Sequence, residues 1–173
     1  MLLTRTIGLA AAGLLMACNP TFNWRTVRAD GAPLQALMPC KPDAASRQVP
    51  LGGVPTALQM RSCDAGGLTF AVAWADVGEA ARVEPALRGW QQATLVAVRA
   101  DAAGGAEARP QVRVSGADRA EALSARGLDH RGEPIEVRAV HVVRGTHLHQ
   151  AAIYGPSIDD DVARTFFEGL QVQ

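Results

Sequence analysis

The sequence predicts one α+β domain, an antiparallel β-sheet with a long amphipathic helix and a short C-terminal helix packed against it. Three observations lead there. Runs of alternating, β-branched and aromatic character recur along residues 54–76 and again along 135–154. One stretch, Val83 to Arg99, instead repeats its apolar residues at three- and four-residue spacing. The chain has 173 residues, 48% of them hydrophobic, with 17 basic against 17 acidic side chains, which suits one sizeable core and leaves no room for a second.

Along residues 34–173, the expected domain, Leu34 to Met38 is a short apolar strand stopped by Pro39. A polar stretch with Pro42 and Pro50 follows, read as irregular, and Gly52-Gly53 marks a turn. Thr56–Cys63 and Leu68–Asp76 then form a hairpin around Asp64-Ala65-Gly66-Gly67. Phe70, Val72 and Trp74 share one face of its second strand, the face that meets the core. In the helix, Val83, Leu87, Trp90, Thr94 and Ala97 make the apolar stripe, and Pro85 lies in the first turn, where its missing N–H is no loss.

Asp101–Pro110, rich in Ala, Gly and Glu, reads as a surface loop. Gln111–Ser115 and Arg119–Arg126 are weaker strands, and Gly127–Pro134 is a turn region. Ile135–Val143 and His147–Tyr154 make the clearest hairpin of the chain. Gly155-Pro156 ends it, and a helix begins at Ser157, placed to cap it with Asp160 three residues on. Asp159, Asp160 and Asp161 complement the helix dipole there; successive residues diverge by about 100° on a helix, so the three cannot all face one calcium ion.

The N-terminus carries the address. Arg5 is followed by an apolar run from Ile7 to Ala17. That run is too short for a bilayer, which takes about 20 residues, and it has the length of a signal-peptide core. It ends in Leu15-Met16-Ala17-Cys18, which resembles the lipobox of bacterial lipoproteins, with Met16 where the family more often has a smaller residue. The resemblance implies cleavage after residue 17, a lipid on the Cys18 thiol, and anchorage by acyl chains. Residues 18–33, with Asn-Pro and Asp-Gly-Ala-Pro, read as a tether running into the first strand, and Phe22 and Trp24 are apolar enough to lie against the domain. Asn19 follows the cysteine, where an Asp would favour inner-membrane retention, so the expected location is the periplasmic face of the outer membrane. The alternative is an ordinary secretory signal that leaves Cys18 as a free thiol. Cleavage removes one positive charge, Arg5, and leaves 16 basic against 17 acidic residues, a neutral domain with no basic face for nucleic acid.

With Cys18 acylated, Cys40 and Cys63 remain, an even pair in an oxidising compartment, and a disulfide is expected. A redox or metal pair is the alternative, but no C-x-x-C spacing is present.

The element order is similar to that of small exported bacterial proteins with a PsbP-like α/β fold. Met38-Pro39-Cys40-Lys41-Pro42, the run Phe70 to Asp76, and Leu148 to Pro156 followed by Phe166-Phe167 carry the resemblance. Most such sequences lack the cysteine pair. The resemblance implies an antiparallel sheet with packed helices and a non-catalytic binding or assembly role, and it transfers no site residues.

No serine lies in G-x-S-x-G, and H-E-x-x-H, the phosphate loop and the dinucleotide glycine pattern are all missing. No catalytic residue and no cofactor is nominated. One constellation invites a metal: His141, His147 and His149 in the last hairpin. His147 and His149 share a face. A three-residue loop would pair Val143 with His147 and cluster all three; a two-residue Gly145-Thr146 turn would pair Val142 with His149 and send His141 to the other face. The competing reading is plain half-exposed strand residues. The expectation is therefore a monomeric, lipid-anchored, non-enzymatic module that meets an envelope protein, with metal binding as the alternative.

Overall fold

The computed structural model describes residues 21–29, 31–100 and 110–173. Cys18 with its lipobox, and most of the loop expected at 101–110, lie outside them. The fold is α+β with antiparallel sheets and two helices.

The strands are β1 (Arg25–Arg28), β2 (Leu34–Met38), β3 (Asp43–Leu51), β4 (Val54–Ala65), β5 (Leu68–Asp76), β6 (Arg119–Leu128), β7 (Pro134–Arg144), β8 (His147–Gly155) and β9 (Gln171–Val172). Helix α1 spans Ala80–Ala97 and α2 spans Asp160–Glu168. A six-stranded sheet runs β3-β4-β5-β8-β7-β6, and a three-stranded one runs β1-β2-β9. Each neighbouring pair is antiparallel.

The period of two divides the large sheet into two packed faces. Phe70, Val72, Trp74, Val140, Val142, Ala151 and Ile153 meet the small sheet and α2 through Leu34, Met38, Ala163, Phe166 and Val172. The opposite face sets the small side chains Ala73 and Ala75 with Leu148 against Ala86, Leu87 and Trp90 of α1. Central β5 is thus buried on both sides, as a strand between two covering layers must be.

Where α1 meets the β3–β4 turn, backbone approaches backbone. A Cβ on Gly52 would stand 3.0 Å from the Ala86 nitrogen, and one on Gly89 would stand 3.3 Å from the Gly52 nitrogen. That contact accounts for a glycine in mid-helix, otherwise a cost of about 1 kcal/mol against Ala.

Several local expectations are corrected. The stretch read as irregular is strand β3, paired with β4 from Asp43 opposite Ser62 to Leu51 opposite Val54. Its first six residues are exposed, so alternation leaves no trace, and Pro50 is tolerated because β3 is an edge. Part of the expected tether is strand β1, while Phe22 and Trp24 lie against Phe70, as expected, at ring separations of 6.1 Å. Helix α1 starts at Ala80, which puts Pro85 beyond the first turn. Residues 111–115 form only two isolated bridges, Gln111 to Glu121 and Ser115 to Gln171. The cap of α2 is Asp159, not Ser157; its carboxylate accepts from the Asp161 and Val162 amides at 2.9 and 3.1 Å.

Candidate functional site

Cys40 and Cys63 are bonded, with Cα atoms 6.0 Å apart. Cys40 follows β2 and Cys63 lies in β4, so the bridge joins the two sheets covalently.

The last hairpin turns through Gly145-Thr146, with Gly145 at φ 56°, and pairs Arg144 with His147 and Val142 with His149. The cluster of three histidines therefore does not form. His141 pairs with Gln150 and looks toward α1, its ring edge-on to Trp90 at 6.2 Å. His147 and His149 stack on the other face at 6.3 Å and 12°. His149 is 1% exposed, and neither of its ring nitrogens has a hydrogen-bond partner among the described residues. Burial, with the neighbouring His147 adding to it, pushes its pKa down to about 4, so the ring is neutral. Half-exposed His147 has Asp76 3.9 Å away. The Thr146 hydroxyl and the Gly78 amide, the latter at 2.8 Å, hold the Asp76 carboxyl below its ordinary range. Among the described residues, no three His, Cys, Asp or Glu side chains come together as a metal group.

A polar network, unforeseen in the sequence, lies between α1 and the sheet. Glu121, 4% exposed, accepts from Gln91 Nε2 at 2.9 Å and Arg88 Nη1 at 3.1 Å, with Arg119 Nε at 3.5 Å. Gln150 Nε2 donates to the Thr94 hydroxyl at 2.8 Å and lies 2.9 Å from His141 Nε2. The interior repays such charges only when they are fully bonded. The apolar stripe read from the sequence leaves Gln91 outside it, with Arg82, Glu84 and Arg88, whereas Gln91 is 0% exposed; Thr94, on that stripe, was the signal available.

Among the described residues, a largely apolar cavity of 370 Å³ lies between α2, strands β6 and β7, and the extended residues 112–114. Its volume falls in the roughly 300–1,000 Å³ range of small-molecule sites. Val112, Val114, Ala122, Val140, Ala163 and Phe167 supply apolar wall, and Arg113, Arg138, Asp160, Arg164 and Glu168 supply charge. Arg138 braces one end: it reaches Glu136 at 2.7 Å, Asp160 at 2.5 Å and the Ile158 carbonyl at 3.0 Å, tying the start of α2 to β7. Arg164 pairs with Asp161. Periodicity could not foretell this cavity, because it depends on three segments distant in sequence.

No helix among the described residues is long and apolar enough to cross a membrane. No protein-family model and no curated protein matches the chain. A solved structure, LpqN of Mycobacterium tuberculosis, which is involved in cell envelope biogenesis, resembles it over 87% of this chain and 78% of LpqN, at 16% identity and a TM-score of 0.39. A likeness at that level transfers no function.

Proposed function

We propose that the chain is the folded domain of a bacterial envelope lipoprotein, acylated on Cys18 and held at the periplasmic face of the outer membrane, that binds an envelope component without catalysing a reaction on it. Leu15-Met16-Ala17-Cys18 at the end of a short apolar run is the observation that carries this reading. A disulfide between Cys40 and Cys63 suits an oxidising compartment. The cavity beside α2 offers a place to bind, and its Arg138 ion pairs tie the start of α2 to β7. The PsbP-like likeness belongs to the same reading, supported by an antiparallel sheet covered on both faces. In the metal alternative, His147 and His149 remain together on one face, while His141 faces the other way.

Mass spectrometry of the protein extracted from membranes tests the reading. Cys18 is expected as the first residue, carrying diacylglycerol and an N-acyl chain, in the outer-membrane fraction. An unmodified Cys18, or another first residue, overturns it.

A further inference from the structure

We infer that the cavity beside α2 holds the single acyl chain of an amphiphile whose head is zwitterionic, with a phosphate and an ammonium. The inference deepens the envelope-binding reading and rests on it for the location of the ligand.

Size limits the chain. A cavity of 370 Å³ lies at the low end of the roughly 300–1,000 Å³ range of small-molecule sites, which suits one acyl chain rather than the two of a phospholipid. The apolar wall sets its chemistry, and it exists because small residues stand where larger ones would close the space: Ala163 on the inner face of α2 and half-buried Ala122 on β6. Apolar surface left open to water is costly, and an acyl chain removes that cost.

Charge selects the head. Five charged side chains border the cavity, and three are already neutralised: Arg138 and Asp160 by each other, with Glu136 adding to Arg138, and Arg164 by Asp161. Arg113 and Glu168 are exposed and have no ion-pair partner among the described residues. One guanidinium and one carboxylate lining the same cavity, neither ion-paired among the described residues, match a head with both signs. A purely anionic head would satisfy Arg113 and meet Glu168 unfavourably.

The probe is lysophosphatidylethanolamine bearing a diazirine in its acyl chain, added below its micelle concentration to the full-length mature protein and photolysed, with crosslinks mapped by peptide mass spectrometry. Labelling is expected on peptides carrying Val114, Ala122 and Phe167. Unlabelled lysophosphatidylethanolamine competes at least tenfold better than lysophosphatidylglycerol or a free fatty acid. Ala122→Leu, which projects into the cavity from a half-buried position, lowers labelling tenfold or more, and Ala163→Leu does the same from the helix side. Arg113→Ala and Glu168→Ala, both at exposed positions, each lower it several-fold. Unchanged melting curves separate these effects from misfolding. Labelling scattered over the surface, or unmoved by Ala122→Leu, overturns the site; equal competition by lysophosphatidylglycerol overturns the head. The probe reaches the cavity from solution, so a protein found without lipid on Cys18 would sink the anchoring proposal while this result stands or falls separately.

Discussion

His149 lies opposite Val142 on the neighbouring strand, and His141 lies opposite Gln150, so the two buried histidines of one hairpin face opposite sides of the sheet. One settles among polar partners under α1, and the other is enclosed with both ring nitrogens unbonded among the described residues. Their chemistry diverges because a two-residue turn sets the register.

The enclosed ring predicts acid sensitivity. His149 has its folded pKa depressed to about 4 against an ordinary 6.5, so the unfolded chain binds the extra proton first. Its penalty is absent above pH 6.5, grows as pH falls below it, and levels near pH 4 at about 3 kcal/mol. Thermal melts of His149→Leu should lose less stability than the parent between pH 7 and pH 4.5. At pH 7 the variant should be close to the parent, because it removes two unbonded polar atoms. Parallel pH profiles would refute the assignment.

Glu121 joins β6 to α1 through Gln91 and Arg88. Glu121→Ala removes the acceptor and strands Gln91, which is 0% exposed, at a cost of about 2–3 kcal/mol. Arg88→Ala leaves the buried Glu121 carboxylate with Gln91 and the more distant Arg119, at a cost of about 1–3 kcal/mol, whereas Arg88 itself, 44% exposed along its side chain, rehydrates in Glu121→Ala. Urea melts of the single variants, of Gln91→Ala, and of the Glu121→Ala/Gln91→Ala and Glu121→Ala/Arg88→Ala doubles should show a coupling of about 0.5–3 kcal/mol for each pair.

Reduction should loosen the domain measurably. The Cys40–Cys63 bridge spans 23 residues, for which chain entropy gives about 3 kcal/mol. For a domain of this size that is a fall in Tm of about 6–12 °C on adding dithiothreitol. A Cys40→Ser, Cys63→Ser double variant should match the reduced parent and respond no further to reductant.

Two glycines make a controlled pair. Gly116 has φ 79°, and a Cβ there would stand 1.6 Å from the Val172 carbonyl oxygen. Gly132 has φ 85° with nothing within 4 Å. Gly116→Ala should therefore cost about 2–4 kcal/mol, combining backbone strain with the loss of the 2.8 Å bond from the Val172 amide to the Ser115 carbonyl. Gly132→Ala should cost the strain alone, about 1–2 kcal/mol. Equal costs in denaturant melts would mean that β9 yields freely.

Local pattern alone settled much of this protein. Alternation from Phe70 to Trp74 and in the last two long strands gave their faces; the 3.6-residue repeat gave α1 and put Trp90 in the core, where it is 6% exposed. Cysteine parity pointed to the Cys40–Cys63 bond. These signals are legible because each reflects one element's own period or the chemistry of its compartment. Tertiary structure decided the rest. The register of one turn parted His141 from His149, and a shift of a single residue exchanges every face, which composition cannot weigh. Exposed β3 shows no alternation because its strand character comes from bonding to β4. Glu121 is buried only because α1 brings Gln91 and Arg88 to it, and the cavity exists only where α2, β6, β7 and residues 112–114 converge. Burial is a property of partners that meet across the chain, and those meetings leave no local period to read.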